Sequence, residues 1–544
     1  MNASIKKNAR KGLKIISKGD ELYHYARVIS NTRFGYMPAA VVYCDTTEDV
    51  SFCINYCRDH KVPFRVRSGG HQHEGMCSAN NAIIIDLSEI NKITDIDKKK
   101  NTAWIPAGKQ LGQVYEELEK IHKTIPGGGC QSVNVGGLTQ GGGWGTSIRK
   151  YGLTCDSVTD IELVLASGEK VIANNENKYA DLFKALKGGG GGNFGVVIRF
   201  KFKLVSILPV VTTFGLQWEK PKDVKGVVTR WAELHAKKDG IVEELSATCT
   251  MIIEKLPNSK EFGVHGRMGG KFYGSRTKLK VLLHDYFGEF LPKELKNDIF
   301  SENPVGYSDT SKLKKAALKS KTKSKDATPT LSYTANQRLL TDFINPAGNM
   351  EYSMHIGKKC KDLSLTILPS SGPSSTCDQP HPHKVSSSFP KDDVDHKKLV
   401  EQVYTYLKNS CYRSDVNMYM SFHCMGGAVT NNAGKNSFGY AQKPYMLQIQ
   451  AWWDDVSNVF TNVGRNSEYL KWVKDFRISL NKYTEGSFIN FVDKTLVPDI
   501  EKEENRLKLL EIYYNKKNLN ELRKVKKKYD PAQLFSFQMS ILPK

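Results

Sequence analysis

The chain has 544 residues, 40% hydrophobic and 10% aromatic, which is enough for two or three domains with buried cores. It contains no run of about twenty apolar residues, so no membrane span is predicted. Lys and Arg outnumber Asp and Glu by 79 to 57, a net charge of +22, but they are spread along the chain without a nucleic-acid motif, so no specific nucleic-acid binding is predicted.

Up to about residue 206, short apolar runs alternate with amphipathic stretches. The helix at 47–59 is introduced by the polar run TTED at 46–49, and Ser167-Gly168 is typical of a hairpin turn. The segment lacks the dinucleotide fingerprint of a Rossmann domain, so an α+β nucleotide-binding unit is predicted. Strands are predicted at 39–43, 64–66, 82–87, 102–107, 158–165, 170–173 and 194–204, and helices at 47–59, 111–122 and 180–186.

Two glycine-rich loops each carry one reactive side chain. The first, RSGGH at 67–71, directly follows the strand at 64–66, and the second, PGGGC at 126–130, continues through the glycines of 136–145. Such loops suit a pyrophosphate because they present backbone N–H groups and allow close approach. A flexible linker is the alternative, but apolar residues between the glycines favour a buried cofactor cradle. These apolar residues are Val133, Val135, Leu138 and Trp144.

From about residue 209, strand-like runs alternate with helical stretches, which predicts an antiparallel sheet covered by helices. The Ser/Pro-rich stretch 364–392 is predicted to be a loop. It contains Cys377, His381 and His383, but loop histidines beside proline mostly face solvent, so no metal site is predicted. Strands are predicted at 212–218, 248–254, 263–273, 417–423 and 445–453, and helices at 224–236, 399–407 and 507–529.

The eleven cysteines, an odd number without a Cys-x-x-Cys pair, favour free thiols over a disulfide framework. Residues 1–13 are basic and no apolar stretch follows them, so no secretory signal peptide is evident. An intracellular protein is therefore predicted. The alternative is a secreted protein, if the chain is the mature form from which a leader was removed. The lysine-rich run 312–325 is interpreted as solvated surface. The oligomeric state is not predicted.

Taken together, these motifs resemble the flavin-linked oxidases of the berberine-bridge-enzyme type, within the vanillyl-alcohol-oxidase superfamily. The resemblance covers nearly the whole chain and is weakest from about residue 255 to residue 415. It implies an α+β fold, with a PCMH-type FAD-binding domain formed by residues 1–206 and a returning C-terminal segment 504–544, around a substrate domain at 207–503. The motifs that carry it are 67–71 with Gly75, the Cys130 loop, 141–145, 149–153 with Asp156, 188–192, 194–197 and 528–535.

The resemblance implies FAD attached covalently twice, through His71 to the benzenoid-ring methyl and through Cys130 to a neighbouring ring carbon. On the residues alone, His71 could instead hydrogen-bond a phosphate, and Cys130 could be an inert buried thiol. The position of both residues in the two family loops favours covalent flavin. The residues implied to hold the cofactor are Arg67, Ser68, Gly69, Gly70, His71, Gly75, Cys130, Val133, Val135, Gly136, Gly137, Gly141, Gly142, Gly143, Trp144, Gly145, Tyr151, Gly152, Asp156, Val196 and Asn490.

The resemblance further implies an oxidoreductase that takes a hydride from an alcohol, sugar or secondary-metabolite carbon of a small molecule. Val133, three residues after Cys130, stands where the family controls oxygen access, and valine is the kind of residue seen in oxidases. Molecular oxygen is therefore the expected acceptor, with hydrogen peroxide as product. The alternatives are a dehydrogenase with another acceptor and a catalytically weakened flavoprotein of the same fold.

The chain departs from the family where many members carry a proton-accepting Tyr-x-Asn-Tyr motif. Phe488 and Phe491 replace both tyrosines, and phenylalanine cannot accept a proton. Leu138 stands where several members have histidine, and Asn134 where glycine is usual. The usual base is therefore missing, although the cofactor motifs are present.

Groups that could replace the base lie on two predicted strands, with a solvent-facing position as the alternative for each. They are Gln448 and Gln450 on one face of one strand, and Tyr419, Ser421 and His423 on the other strand. His423 is the predicted base because an unperturbed histidine pKa of about 6.5 suits the task, and the rate is expected to fall below a pKa near neutrality. The glutamines can only orient the substrate or a water. Tyr419 and Asp493 are the alternative bases.

Overall fold

The structure, a computed structural model, describes residues 2–255, 261–303, 380–410, 416–453 and 466–544. The basic run at 312–325 and Cys377 lie outside these residues. Within the described ranges, no helix combines the length and the apolar character that crossing a membrane requires.

The N-terminal part contains two main sheets. Its strands are β1 (Lys14–Ser17), β2 (Ala40–Tyr43), β3 (Phe64–Arg67), β4 (Ile83–Asp86), β5 (Thr94–Asp97), β6 (Thr102–Pro106), β7 (Lys123–Thr124), β8 (Val158–Val164), β9 (Lys170–Ala173), β10 (Val196–Lys203) and β11 (Val205–Ser206). The first sheet has the order β1-β2-β4-β3, in which β4 pairs in parallel with both of its neighbours. The second is antiparallel, in the order β5-β6-β10-β8-β9, and includes the predicted hairpin β8–β9. A short pair joins β7 to β11.

A larger sheet of eight strands occupies the rest of the chain. Its strands are β12 (Val211–Trp218), β13 (Leu245–Lys255), β14 (Phe262–Phe272), β15 (Phe300–Asn303), β16 (His383–Pro390), β17 (Val416–Cys424), β18 (Tyr445–Trp453) and β19 (Thr484–Glu485). Their order is β15-β12-β14-β13-β17-β18-β16-β19, and every pairing is antiparallel. The sheet and its covering helices confirm the predicted α+β fold.

Helices cover the sheets and share their cores. They are α1 (Asn2–Asn8), α2 (Tyr23–Ala26), α3 (Thr47–Asp59), α4 (Leu111–Glu119), α5 (Val135–Gln140), α6 (Ile148–Tyr151), α7 (Ala180–Leu186), α8 (Pro221–Ala236), α9 (Arg276–Phe287), α10 (His396–Lys408), α11 (Ala428–Asn431), α12 (Asn466–Ser479) and α13 (Glu503–Tyr529). Helix α3 begins at a capping box, in which the Thr46 hydroxyl accepts from the Asp49 N–H and the Asp49 carboxylate accepts from the Thr46 N–H. Trp231 of α8 and Leu399 of α10 are fully buried in the core of the large sheet.

The C-terminal helix α13 packs into the core of the N-terminal part, where Leu509, Leu510 and Leu522 are buried with the first two sheets. Its helical geometry is interrupted at Asn515, where φ is 53°. The predicted domain boundary at 206/207 falls directly after β11, and the one at 503/504 falls at the first residue of α13. Both boundaries remain predictions.

The loop predicted for 364–392 is wrong over 383–390, which form the buried strand β16 between β18 and β19. His383 is 2% exposed and His381 7%, so neither histidine faces solvent. Serines and flanking prolines lower the intrinsic preference for a strand, but pairing on both sides overrides that preference. The buried Ser387 hydroxyl donates to the Phe491 carbonyl, which satisfies a polar group within the sheet.

Candidate functional site

One continuous cavity of about 740 Å³ lies between the glycine-rich loops and one face of the eight-stranded sheet. His71 and Cys130 line it on the loop side, together with the glycines of 190–192. Among the described residues that line the cavity, none is Asp, Glu or Lys, whereas Arg65 and Arg267 are present. Because Arg267 is ion-paired with Glu254, Arg65 supplies the positive charge of the wall, which favours an anionic ligand.

The opposite wall is a polar patch created by strand register. Thr250 of β13 pairs with Ser421 of β17, and Ser421 pairs with Gln448 of β18, so three polar side chains form one row. Tyr419 and Gln450, two residues away on their strands, form the next row. All five candidate side chains of the two predicted strands line the cavity and are at most 8% exposed, so the solvent-facing alternative is wrong for each.

A chain of hydrogen bonds links these side chains. The Tyr419 hydroxyl and the Trp452 indole N–H both donate to Gln450 Oε1, each at 2.8 Å. Gln450 Nε2 donates to Gln448 Oε1 at 2.8 Å, and the same oxygen lies 2.6 Å from His423 Nε2. The predicted base and the predicted orienting glutamines therefore belong to one network.

His423 lies in a closed aromatic environment. Its ring centroid is 4.3 Å from that of Trp144, edge to face, and the Phe491 ring is nearly parallel to it at 6.2 Å. Burial lowers the pKa of His423 to about 4, only partly opposed by the hydrogen bond with Gln448. The expected pKa near neutrality is therefore wrong, because no carboxylate lines the described cavity wall to hold the charged form.

The segment that replaces the tyrosine motif also lines the cavity. Phe488 is 2% exposed, so the ring fills the wall. Asn490 Nδ2 donates to the carbonyls of Gly137 and Leu138, while its Oδ1 accepts from the Gly143 N–H. Asn490 thus ties this segment to the second glycine loop.

Comparison with known proteins adds independent evidence. A family model described as FAD binding domain matches residues 38–174, and one described as berberine and berberine like matches residues 487–542. The two matches include both glycine loops, the segment around Asn490 and the end of the chain. The chain is an FAD-linked oxidoreductase that is similar to berberine-bridge-enzyme-like proteins.

Similar proteins agree with this assignment. The uncharacterized FAD-linked oxidoreductase YgaK of Bacillus subtilis (strain 168) is 29% identical over 534 residues, which cover 97% of each chain. Tetrahydroberberine oxidase of Argemone mexicana is 34% identical over 237 residues, 43% of this chain and 42% of the relative. The solved structure of Phl p 4, a grass pollen allergen with glucose dehydrogenase activity, shares the fold with a TM-score of 0.74 and 20% identity over 100% of this chain and 99% of the other.

The cavity of this FAD-linked oxidoreductase fits FAD. A Cβ added at Gly129 or Gly137 would meet no atom within 4 Å, so these glycines keep open the space beside the loop backbone. Gly70, immediately before His71, has a φ of +70°, which other residues rarely adopt. Arg65 contributes a positive charge to the same wall. These features suit an anionic cofactor that lies against the glycine backbone.

The two residues predicted to attach the flavin have different surroundings. His71 Nδ1 lies 3.3 Å from the Ser30 hydroxyl, and its Nε2 lies 3.1 Å from the Ser132 hydroxyl. Cys130 is disulfide-bonded in this structure. Since one sulfur cannot hold both bonds, attachment of flavin through Cys130 requires its reduced thiol.

About half of the predicted cofactor residues lie on the cavity wall, and the others do not line the cavity. Arg67, for example, is buried in an ion pair with Asp86, and Asp156 Oδ2 accepts from the Leu153 N–H. Residues on the wall are Ser68, Gly69, Gly70, His71, Cys130, Val133, Gly136, Gly137, Gly141, Trp144 and Asn490. Residues that do not line the cavity are Arg67, Gly75, Val135, Gly142, Gly143, Gly145, Tyr151, Gly152, Asp156 and Val196.

Several wall residues were missed by sequence reasoning. His73 Nδ1 lies 2.9 Å from His383 Nε2, and burial lowers the pKa of both imidazoles, to about 3 for His73. Thr248 and Trp452 also line the cavity. For Trp452 the available signal was its spacing of two residues from Gln450 along the same strand, whereas no predicted site residue pointed to Thr248. The described residues contain no group of three or more His, Cys, Asp or Glu side chains that could hold a metal ion.

Asp493, one of the alternative bases, does not line the cavity. Its carboxylate accepts from Lys384 Nζ at 2.5 Å and from the Thr495 hydroxyl at 2.6 Å. Burial opposes ionisation of this carboxyl, but the Lys384 charge and hydrogen bonds outweigh it and lower the pKa of Asp493. Buried Lys384 pairs with both Asp493 and Glu74. The Asp493 carboxylate therefore has a structural role.

Proposed function

We propose that the chain is an oxidase that takes a hydride from the carbinol carbon of a small alcohol, sugar or secondary metabolite and passes the electrons to molecular oxygen. Its FAD is attached through His71 and Cys130. The observation that carries the proposal is the continuity of the cavity, which joins the loops bearing these two residues to the polar patch containing His423. Bound FAD supplies the hydride acceptor, and the protein supplies orientation and proton transfer.

His423 supplies the base in this proposal. Gln448 Oε1 is only an acceptor, so the 2.6 Å contact requires that His423 Nε2 carry the proton and donate it. Nδ1 is then the nitrogen that carries the lone pair, and the Thr248 hydroxyl, 3.4 Å away, is placed to donate to it until a substrate hydroxyl takes its place. Above a pKa of about 4 the ring is neutral, so Nδ1 can take the proton of a substrate hydroxyl as the hydride leaves.

Aromatic side chains define the shape of the substrate side. Trp144, Tyr419, Trp452 and Phe491 line the cavity around the amides. Flat apolar surfaces with a few polar groups suit a planar phenolic or the face of a sugar ring. The names of two similar proteins, a tetrahydroberberine oxidase and an allergen with glucose dehydrogenase activity, support a secondary metabolite and a sugar, respectively, as substrate classes.

A substrate screen with two readouts tests the proposal. Purified holoprotein is mixed with sugars, alcohols and small phenolics, first without oxygen to follow bleaching of the flavin, then in air to follow peroxide. A substrate that bleaches the flavin and yields peroxide supports the oxidase. Bleaching with little peroxide favours the dehydrogenase, and a flavin that no compound reduces favours the catalytically weakened flavoprotein.

A further inference from the structure

We propose that Trp452 is a positioning residue whose indole N–H determines which nitrogen of His423 carries the proton. The proposal rests on the proposed role of His423 as the base. Trp452 does not contact His423; it acts through Gln450 and Gln448, which lie between them.

Trp452 is the one member of the hydrogen-bonded chain whose polarity is fixed. An indole N–H only donates, whereas a tyrosine hydroxyl can donate or accept, a glutamine amide can turn over, and a neutral imidazole can change tautomer. The Trp452 ring is also held in place, since it is 5% exposed, stacks on His383 at a centroid distance of 4.1 Å, and packs against Ile252.

The fixed donor orients both glutamines in turn. Because Trp452 donates at 2.8 Å, Gln450 must present Oε1 to it, and its Nε2 is then directed at Gln448. An amide nitrogen cannot accept, so Gln448 must in turn present Oε1 to Gln450. The same oxygen faces His423 Nε2 at 2.6 Å, which requires an Nε2–H tautomer.

Without the indole N–H, the reversed chain satisfies the same contacts. Both amides can turn over, so that Gln448 presents its NH₂ group to His423 Nε2, and the proton of the imidazole moves to Nδ1. In that state Nδ1 can no longer accept the substrate proton. An imidazole held in the wrong tautomer is disabled as a base.

The test compares Trp452→Phe with the matched control Trp453→Phe in the full-length holoprotein. Trp453 Nε1 is buried and has no hydrogen-bond partner among the residues that the structure describes, and its side chain alternates to the other face of β18. With ¹⁵N-labelled histidine, the His423 signals are assigned by their loss in His423→Ala. We expect a single Nε2–H tautomer in the wild type and in Trp453→Phe, and a mixed or inverted tautomer in Trp452→Phe.

A second variant gives the same inversion by a different route. In Gln450→Glu the ionised carboxylate accepts from Trp452 but cannot donate to Gln448, so Gln448 must turn over and His423 must become the Nδ1–H tautomer. Retained flavin and an unchanged far-UV circular dichroism spectrum show that either variant has folded. An unchanged Nε2–H tautomer in both variants would overturn the proposal.

Kinetics separate this proposal from the proposed function. We expect Trp452→Phe to slow substrate-driven bleaching of the flavin by at least about tenfold, with little change in KM. If His423→Ala bleaches at the wild-type rate, His423 is not the base, yet the tautomer measurement still decides the role of Trp452. If the tautomer inverts while the rate is unchanged, Trp452 sets the tautomer and the proposed role of His423 Nδ1 as the base fails.

Discussion

The two walls of the cavity are built in different ways. The loop wall consists of short continuous segments, 68–71 and 128–141 among them, in which the backbone itself is the surface. The sheet wall takes single side chains from separate strands, so that Thr250, Ser421 and Gln448 meet only through register. Removing the His71 or Cys130 side chain from the loop wall is therefore expected to remove one proposed link to the cofactor, whereas removing a side chain from the sheet wall is expected to disturb every group hydrogen-bonded to it.

The largest expected effect is on the loop wall. The wild type should keep its flavin after acid precipitation, His71→Ala and Cys130→Ala should each retain one linkage, and the double variant should retain none. Absorbance of the precipitate and intact mass measure this, with and without reductant because Cys130 is disulfide-bonded in the structure. Cys77→Ala is a matched control, since Cys77 is a free thiol in the same cavity. Complete release of flavin from the wild type by acid would contradict covalent attachment.

The corresponding variant on the sheet wall is His423→Ala. We expect at least about a hundredfold slower bleaching of the flavin by substrate, because a positioned base contributes roughly 10²–10⁴-fold. Covalent flavin and fold should be unchanged. Tyr419→Phe, which removes a hydroxyl of the same network, should cost less than about tenfold. If substrate bleaches the flavin of His423→Ala at the wild-type rate but bleaches that of Tyr419→Phe much more slowly, Tyr419 is the base instead of His423.

The difference between the walls also decides what could be predicted from the sequence. The glycine loops could be predicted because their function lies in consecutive residues, and the strands could be predicted from alternation of apolar residues, as in Tyr445–Trp453. The shared faces of Gln448 with Gln450 and of Tyr419 with His423 followed from the two-residue period of a strand. The hydrogen bonds between these two pairs depend on register, which the sequence does not specify locally.

Two predictions made from the sequence were wrong for the same reason. Residues 383–390 have the composition of a loop, yet they form a buried strand because β18 and β19 are available on either side. The pKa of His423 is near 4 rather than 6.5 because distant segments, including Trp144 and Phe491, exclude water from the ring. Pairing partners and desolvation are both tertiary properties, so local composition does not report them.

The pH dependence of kcat/KM tests whether His423 on the sheet wall is the base. The base must be unprotonated, and the pKa of His423 is lowered to about 4, so kcat/KM should be flat from pH 8 to pH 5 as far as this group is concerned. Below that pKa the rate should fall about tenfold per pH unit as Nδ1 becomes protonated. His73, whose pKa is about 3, could add a second step at lower pH. Loss of the step near pH 4 in His423→Ala identifies the group, and a wild-type step near pH 6.5 would contradict the desolvated base.

The smallest expected effect concerns Val133 on the loop wall and the reoxidation of the flavin. Val133 lines the cavity and is tied to the loop through its N–H, which donates to the Cys130 carbonyl, and its carbonyl, which accepts from the Leu111 N–H. If the valine side chain leaves room for oxygen, Val133→Ile should slow reoxidation of the flavin in air by about tenfold, since it adds one methylene, worth about 1–3 kcal/mol where space is limiting. Bleaching by substrate should be unchanged, because His423 lies on the opposite wall. Val133→Ala is the matched control, and stopped-flow mixing of the bleached protein with oxygen should show it reoxidising as fast as the wild type. If all three proteins reoxidise equally slowly, the side chain at 133 does not control the access of oxygen to the flavin. The electron acceptor is then expected to be a molecule other than oxygen.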